Sequence, residues 1–85
     1  MIKEELKILM VEDNPADVTL IRREIFKVAE NAAVTVCNNV TDFRLNLIDN
    51  PPDLIISDYN LPTSSGLDIL EVAQRLTPSV TFLFI

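Results

Sequence analysis

Three carboxylates stand where apolar runs stop. Asp58 follows Leu54-Ile55-Ile56-Ser57, and the pair Glu12-Asp13 follows Ile8-Leu9-Met10-Val11. Short apolar blocks rich in β-branched residues and closed by turn formers read as buried strands. In open α/β sheets the working groups gather at the carboxyl ends of strands, so acids in these positions face a common crevice. Two strands that end in carboxylates imply one shared acidic pocket, suited to holding a cation or to nucleophilic attack by a carboxylate. The competing reading of Asp58 is purely conformational, because Asp bonds its own backbone and favours turn openings. For Glu12-Asp13 it is a strand end plus a negative charge at a helix start.

The whole-chain bounds narrow the chemistry. Eighty-five residues make one small domain with a modest core. A hydrophobic content of 48% and 24% charged residues describe a folded chain rather than a disordered one. Seven basic residues against thirteen acidic ones, with no His, give a formal net charge of -6, which argues against nucleic-acid backbone binding by this segment. Most of the acids fit solvent faces, where they serve solubility. Cys37 is the only cysteine, so an intramolecular disulfide and a multi-thiolate metal site are excluded, and it reads as a small buried apolar residue. The charged N-terminus lacks a signal-peptide core and no apolar run reaches membrane-spanning length, so a cytoplasmic protein without membrane contact is expected.

The elements that must position the acids follow in order. Leu6 to Val11 forms a first strand. Asn14 caps the next helix, Pro15 suits its first turn, and Val18, Ile21, Ile25 and Val28 give it a buried face over about residues 15–30. Val34 to Cys37 alternates as a short strand. Thr41 reads as the cap of a helix that buries Phe43, Leu47 and Ile48 and that Asn50-Pro51-Pro52 stops. After the third strand and Leu61-Pro62, the polar loop Thr63-Ser64-Ser65-Gly66 leads into a helix with Leu67, Leu70, Ala73 and Leu76 on one face. Val80 to Ile85 is a fourth strand. Strands alternating with helices call for a parallel sheet with right-handed crossovers.

The order and spacing of Glu12-Asp13, Asp58, Leu61-Pro62 and Gly66 resemble the receiver domain of two-component response regulators, from about Leu6 to Ile85. The resemblance implies a flavodoxin-like α/β fold with strand order 2-1-3-4, and residues 1–85 as a partial receiver domain lacking the fourth helix, fifth strand and fifth helix. It implies Asp58 as phosphoacceptor, Glu12 and Asp13 as the acid pocket, and the backbone carbonyl of Asn60 as a further Mg²⁺ ligand. The physical logic agrees: clustered carboxylates repel an incoming phosphoryl group, and a hard divalent cation that takes oxygen ligands offsets that charge. Glu12 would act on the ion through water. Tyr59 would shield the pocket, and a polar Asn60 hints at faster loss of the phosphate.

The partner implied is a histidine kinase or histidine phosphotransfer protein docking around Asn14 to Ile25, and the role a phosphorelay step rather than enzymatic turnover. Receivers usually carry a Ser or Thr after the fourth strand and a Lys after the fifth. Here the only basic residue after Asp58 is Arg75. Two groups that stabilise the phosphorylated state are therefore without a counterpart. That keeps open a shortened receiver acting as a non-catalytic interaction module. An aspartate-nucleophile phosphohydrolase would need a second Asp two residues beyond Asp58, where this chain has Asn60. The fourth strand, with Val80, Phe82, Leu83 and Phe84, would be an unpaired apolar edge, from which self-association is expected.

Overall fold

The computed structural model describes residues 5–61 and 65–85. The Pro62 position anticipated in the Leu61-Pro62 loop lies outside the described residues, as do Thr63 and Ser64. Among the described residues seven elements follow one another: β1 (Lys7–Val11), α1 (Pro15–Val28), β2 (Ala33–Cys37), α2 (Val40–Asp49), β3 (Leu54–Ser57), α3 (Gly66–Leu76) and β4 (Thr81–Phe84). The strands pair in parallel in the order β2-β1-β3-β4. This is the flavodoxin-like arrangement, here with four strands and three helices.

Alternation along β1 divides the apolar residues between two faces. Ile8 and Met10 join Ile56 and, from α1, Ile25, with Val18 and Ile21 packed alongside. Leu9 and Val11 join Ile55, Phe43 and Leu47 of α2, and Ile69 and Ala73 of α3. One helix thus covers one face and two cover the other. Both faces of β1 and β3 are buried, which is why they read as unbroken apolar runs.

Periodicity overstated the buried helical faces at their ends. Val28 is 88% exposed. A helix of this length runs about 20 Å while a five-residue strand spans about 15 Å, so the last turn of α1 overhangs the sheet. Ile48 is exposed beside buried Leu47, a rotation of about 100° away around the helix. In α3 the buried stripe is Gly66, Ile69 and Ala73, with Leu67 and Leu76 exposed. A strict three-residue step drifts around a 3.6-residue helix, whereas mixed three- and four-residue steps stay on one face.

Capping was right at α1 and displaced at α2. Asn14 Oδ1 accepts from the Ala16 and Asp17 amides at 2.9 and 3.4 Å. At α2 the cap is Asn39 rather than Thr41: its Oδ1 accepts from the Asp42 amide at 2.8 Å, and its Nδ2 donates to the Asp42 carboxylate at 3.0 Å. Thr41 already lies within the helix. At α3 the Ser65 amide donates to Asp68 Oδ2 at 3.1 Å, closing the first turn.

Candidate functional site

The register brings the carboxyl ends of the strands level. Val11 is opposite both Cys37 and Ser57, and Ser57 is opposite Phe84. The ladder then runs one residue further. The Glu12 amide donates to the Cys37 carbonyl at 3.0 Å, the Asp58 amide to the Val11 carbonyl at 2.9 Å, and the Ile85 amide to the Ser57 carbonyl at 3.0 Å. Glu12 and Asp58 are therefore rooted in the sheet. β1 and β3 are also the strands between which the chain changes its direction of winding, and ligand crevices form at that point in open α/β sheets.

Glu12, Asp13 and Asp58 each offer a carboxylate oxygen to a cluster in which the three lie within 4.8 Å of one another. Their burial is graded: Glu12 is only 4% exposed, Asp58 is half-buried and Asp13 is exposed. At 4.8 Å, Coulomb's law sets the repulsion between two carboxylates at about 3 kcal/mol for an effective dielectric near 20, before salt screening. Burial raises the Glu12 carboxyl above its ordinary value. The Asn14 and Asp13 amides oppose that rise, and the charges of Asp58 and Asp17 add to it. The pocket is an excess of negative charge with oxygen donors close together, the donor set that a hard divalent cation takes.

An open cleft of about 350 Å³ adjoins the cluster, lined by Glu12, Asp17, Leu20, Ile21, Asp58 and Ile85. One end is acidic and the other apolar. Asp17 places a negative charge in the first turn of α1, and its position in the cleft follows from α1 lying over β1 and β3. Leu20 and Ile85 were not anticipated as lining residues, and no local sequence signal marks them.

The Asp58 loop is fixed from several sides. Asp58 Oδ1 accepts from the Asn60 amide at 3.2 Å. The turn-forming role and the cluster role of this residue therefore coexist, one carboxylate serving both. Ser57, fully buried, donates its hydroxyl to the Asp58 carbonyl at 3.0 Å. Sequence reasoning passed over Ser57, although a polar residue closing an apolar strand was the available signal. The Gly66 amide donates to the Tyr59 carbonyl at 2.7 Å. A Cβ on Gly66 would lie 2.8 Å from both the Asp58 carbonyl oxygen and the Tyr59 Cα, and 2.7 Å from the Phe84 ring. Only glycine lets α3 begin this close to the loop.

Tyr59 does not line the cleft. It meets Phe84 edge to face at 5.4 Å, and Phe84 meets Phe82 likewise at 5.1 Å. Asn60 is exposed and forms a bridge with Ser65, which ties the two ends of the loop together. Arg75 pairs with Glu71 at 3.2 Å on the exposed surface of α3. Cys37 is buried, donates weakly to the Met10 carbonyl at 3.6 Å, and its thiol is pushed up to about 12 by burial and by Asp42.

No helix among the described residues is long and apolar enough to cross a membrane. A family model described as the response regulator receiver domain matches residues 8–85. Comparison with curated proteins gives no match.

Proposed function

The chain belongs to the response regulator receiver domain family, and from that premise we propose that it accepts a phosphoryl group on Asp58 from a histidine kinase or histidine phosphotransfer protein in a two-component system. The observation that carries this reading is the convergence of Glu12, Asp13 and Asp58 at the carboxyl ends of β1 and β3. Membership of this family fits a signalling domain rather than an enzyme that turns over a separate substrate.

The division of labour follows from burial and position. Asp58, held by its amide on Val11 and by its own turn with Asn60, keeps a half-buried carboxylate beside the cleft. One of its oxygens attacks the phosphorus of a phosphohistidine; the new P–O bond forms as the N–P bond breaks, and the departing imidazole takes up a proton. Asp13 and Asp58 would hold Mg²⁺ directly with the Asn60 carbonyl, and Glu12 would face it through water. When bound, the ion supplies positive charge that offsets the repulsion between these carboxylates and the phosphoryl oxygens. The cleft beside Leu20 and Ile21 leaves α1 accessible to a partner, in keeping with docking around Asn14 to Ile25.

Intact mass measurement with a small-molecule phosphodonor tests this reading. A Mg²⁺-dependent phosphoryl adduct, absent in Asp58→Asn, is the expected result. A chain of correct mass that takes no adduct would favour a receiver-type interaction module instead.

Self-association belongs to the same reading. β4 pairs only with β3 among the described residues, and Leu83, Phe84 and Ile85 are exposed along it. Val80 and Phe82, by contrast, pack against the core. The pairing surface is therefore narrower than the apolar run suggested.

A further inference from the structure

Glu12 differs from the other two acids in what its carboxylate already does. Its Oε2 accepts from the Asp13 amide at 3.1 Å and from the Asn14 amide at 3.3 Å. Its own amide is anchored on the Cys37 carbonyl at 3.0 Å, and the residue is almost wholly buried. One oxygen is thus committed to the turn that leaves β1. Asp13, in contrast, is exposed, so the direction of its side chain depends on how its backbone is held. Asn14 carries the constraint onward, because the residue whose amide Glu12 holds is the one whose side chain caps α1.

We propose that Glu12 is a positioning residue: its Oε2 clamps the Asp13-Asn14 backbone, which aims the Asp13 carboxylate at the cluster and sets the entry of α1, leaving only its second oxygen to face the pocket. This rests on the reading of the cluster as a cation site, and it assigns different work to the two members of the acid pair. Charge at Glu12 is secondary. What the turn requires at this position is an acceptor of this length, because two backbone donors at the rim of the pocket converge on one oxygen of a buried side chain.

Two substitutions separate the roles. Glu12→Gln keeps an acceptor oxygen at the same reach and removes the charge; Glu12→Ala removes both. The first readout is hydrogen exchange of the Asp13 and Asn14 amides in the ¹⁵N-labelled 85-residue chain without metal. Protection in Glu12→Gln should stay close to that of the parent, and in Glu12→Ala it should fall by about tenfold, the factor set by losing a part-buried hydrogen bond to each amide. The second readout is Mg²⁺ affinity, followed through Tyr59, the one tyrosine in a chain without tryptophan. Glu12→Gln should bind about tenfold more tightly than Glu12→Ala.

Equal loss of amide protection in the two variants, or unprotected Asp13 and Asn14 amides in the parent, overturns the clamp. Retained protection with Mg²⁺ affinity lost equally in both variants also overturns it, because charge at Glu12 would then be the requirement. If the parent itself does not bind Mg²⁺, the cation reading fails, and the amide measurement still decides the clamp.

Discussion

Gly66→Ala is a sharp test of how the Asp58 loop is held. No described residue has a positive φ, glycine included, so an alanine could adopt the Gly66 backbone without strain. On backbone grounds alone the change would stabilise the protein by about 0.4–1 kcal/mol, because alanine loses less chain entropy on folding. The obstacle is space. The new methyl would sit 2.8 Å from the Asp58 carbonyl oxygen and from the Tyr59 Cα, where ordinary contact begins at 3.4 Å. The Phe84 ring at 2.7 Å would have to move as well, but these two atoms are backbone, so relief means pushing the start of α3 and the Asp58 loop apart by more than half an ångström. The Gly66 amide bond to Tyr59 would lengthen with them.

Overpacking of this kind costs about 1–3 kcal/mol, which against the entropic gain leaves a net loss of about 1.3 kcal/mol at the middle of the two ranges and at most about 2.6 kcal/mol. For a domain of this size the middle value lowers Tm by about 5–10 °C. Chemistry should suffer more than stability, because the displaced segment carries Asp58, the carboxylate proposed to accept the phosphoryl group. Phosphoryl uptake from a small-molecule donor, measured well below the variant's Tm, should slow by about 10- to 100-fold. Thermal unfolding by circular dichroism and time-resolved mass measurement give the two numbers. A Gly66→Ala protein with unchanged Tm and unchanged phosphorylation rate would refute the claim that this close approach positions Asp58.

Three further outcomes follow from the same geometry. Burial raises the Glu12 carboxyl above its ordinary 4.5, so its folded-state proton affinity exceeds the unfolded one; the linked stability is present below that value and is lost as pH rises through the folded one. Metal-free Glu12→Gln should therefore be more stable than the parent at pH 7, with the advantage shrinking on acidification in urea titrations; a gap independent of pH would contradict this. Asn39→Ala should lower unfolding stability by about 1 kcal/mol while Thr41→Ala changes it little, the reverse of what a Thr41 cap requires. Sedimentation of the 85-residue chain should show concentration-dependent association that Leu83→Lys weakens, whereas a monomer at high concentration would exclude pairing through β4.

The acid cluster was legible in the sequence because each of its members ends an apolar run, and a parallel sheet brings such ends to one side. The strand order needed the resemblance as well, since periodicity does not say that β1 and β3 are neighbours. What stayed hidden was non-local. Gly66 looks like any glycine at a helix start until Asp58, Tyr59 and Phe84 are seen around it. Asn39 and Thr41 are both good cap residues, and only the reciprocal bonds with Asp42 decide between them. Val28 and Ile48 satisfied an apolar pattern but lie beyond or beside the surface that their helices cover. The clamp made by Glu12 was invisible for a related reason: the sequence names the acid, while which oxygen is already engaged is a matter of three dimensions.

The most direct test of the central claim is to locate the phosphoryl group. Reduction of the phosphorylated chain with borohydride converts an acyl phosphate to an alcohol, and tandem mass spectrometry of the peptides then reads the modified position. The account predicts homoserine at residue 58 alone, dependent on Mg²⁺. Modification at Asp13, at Glu12 or elsewhere, with Asp58 intact, would contradict it.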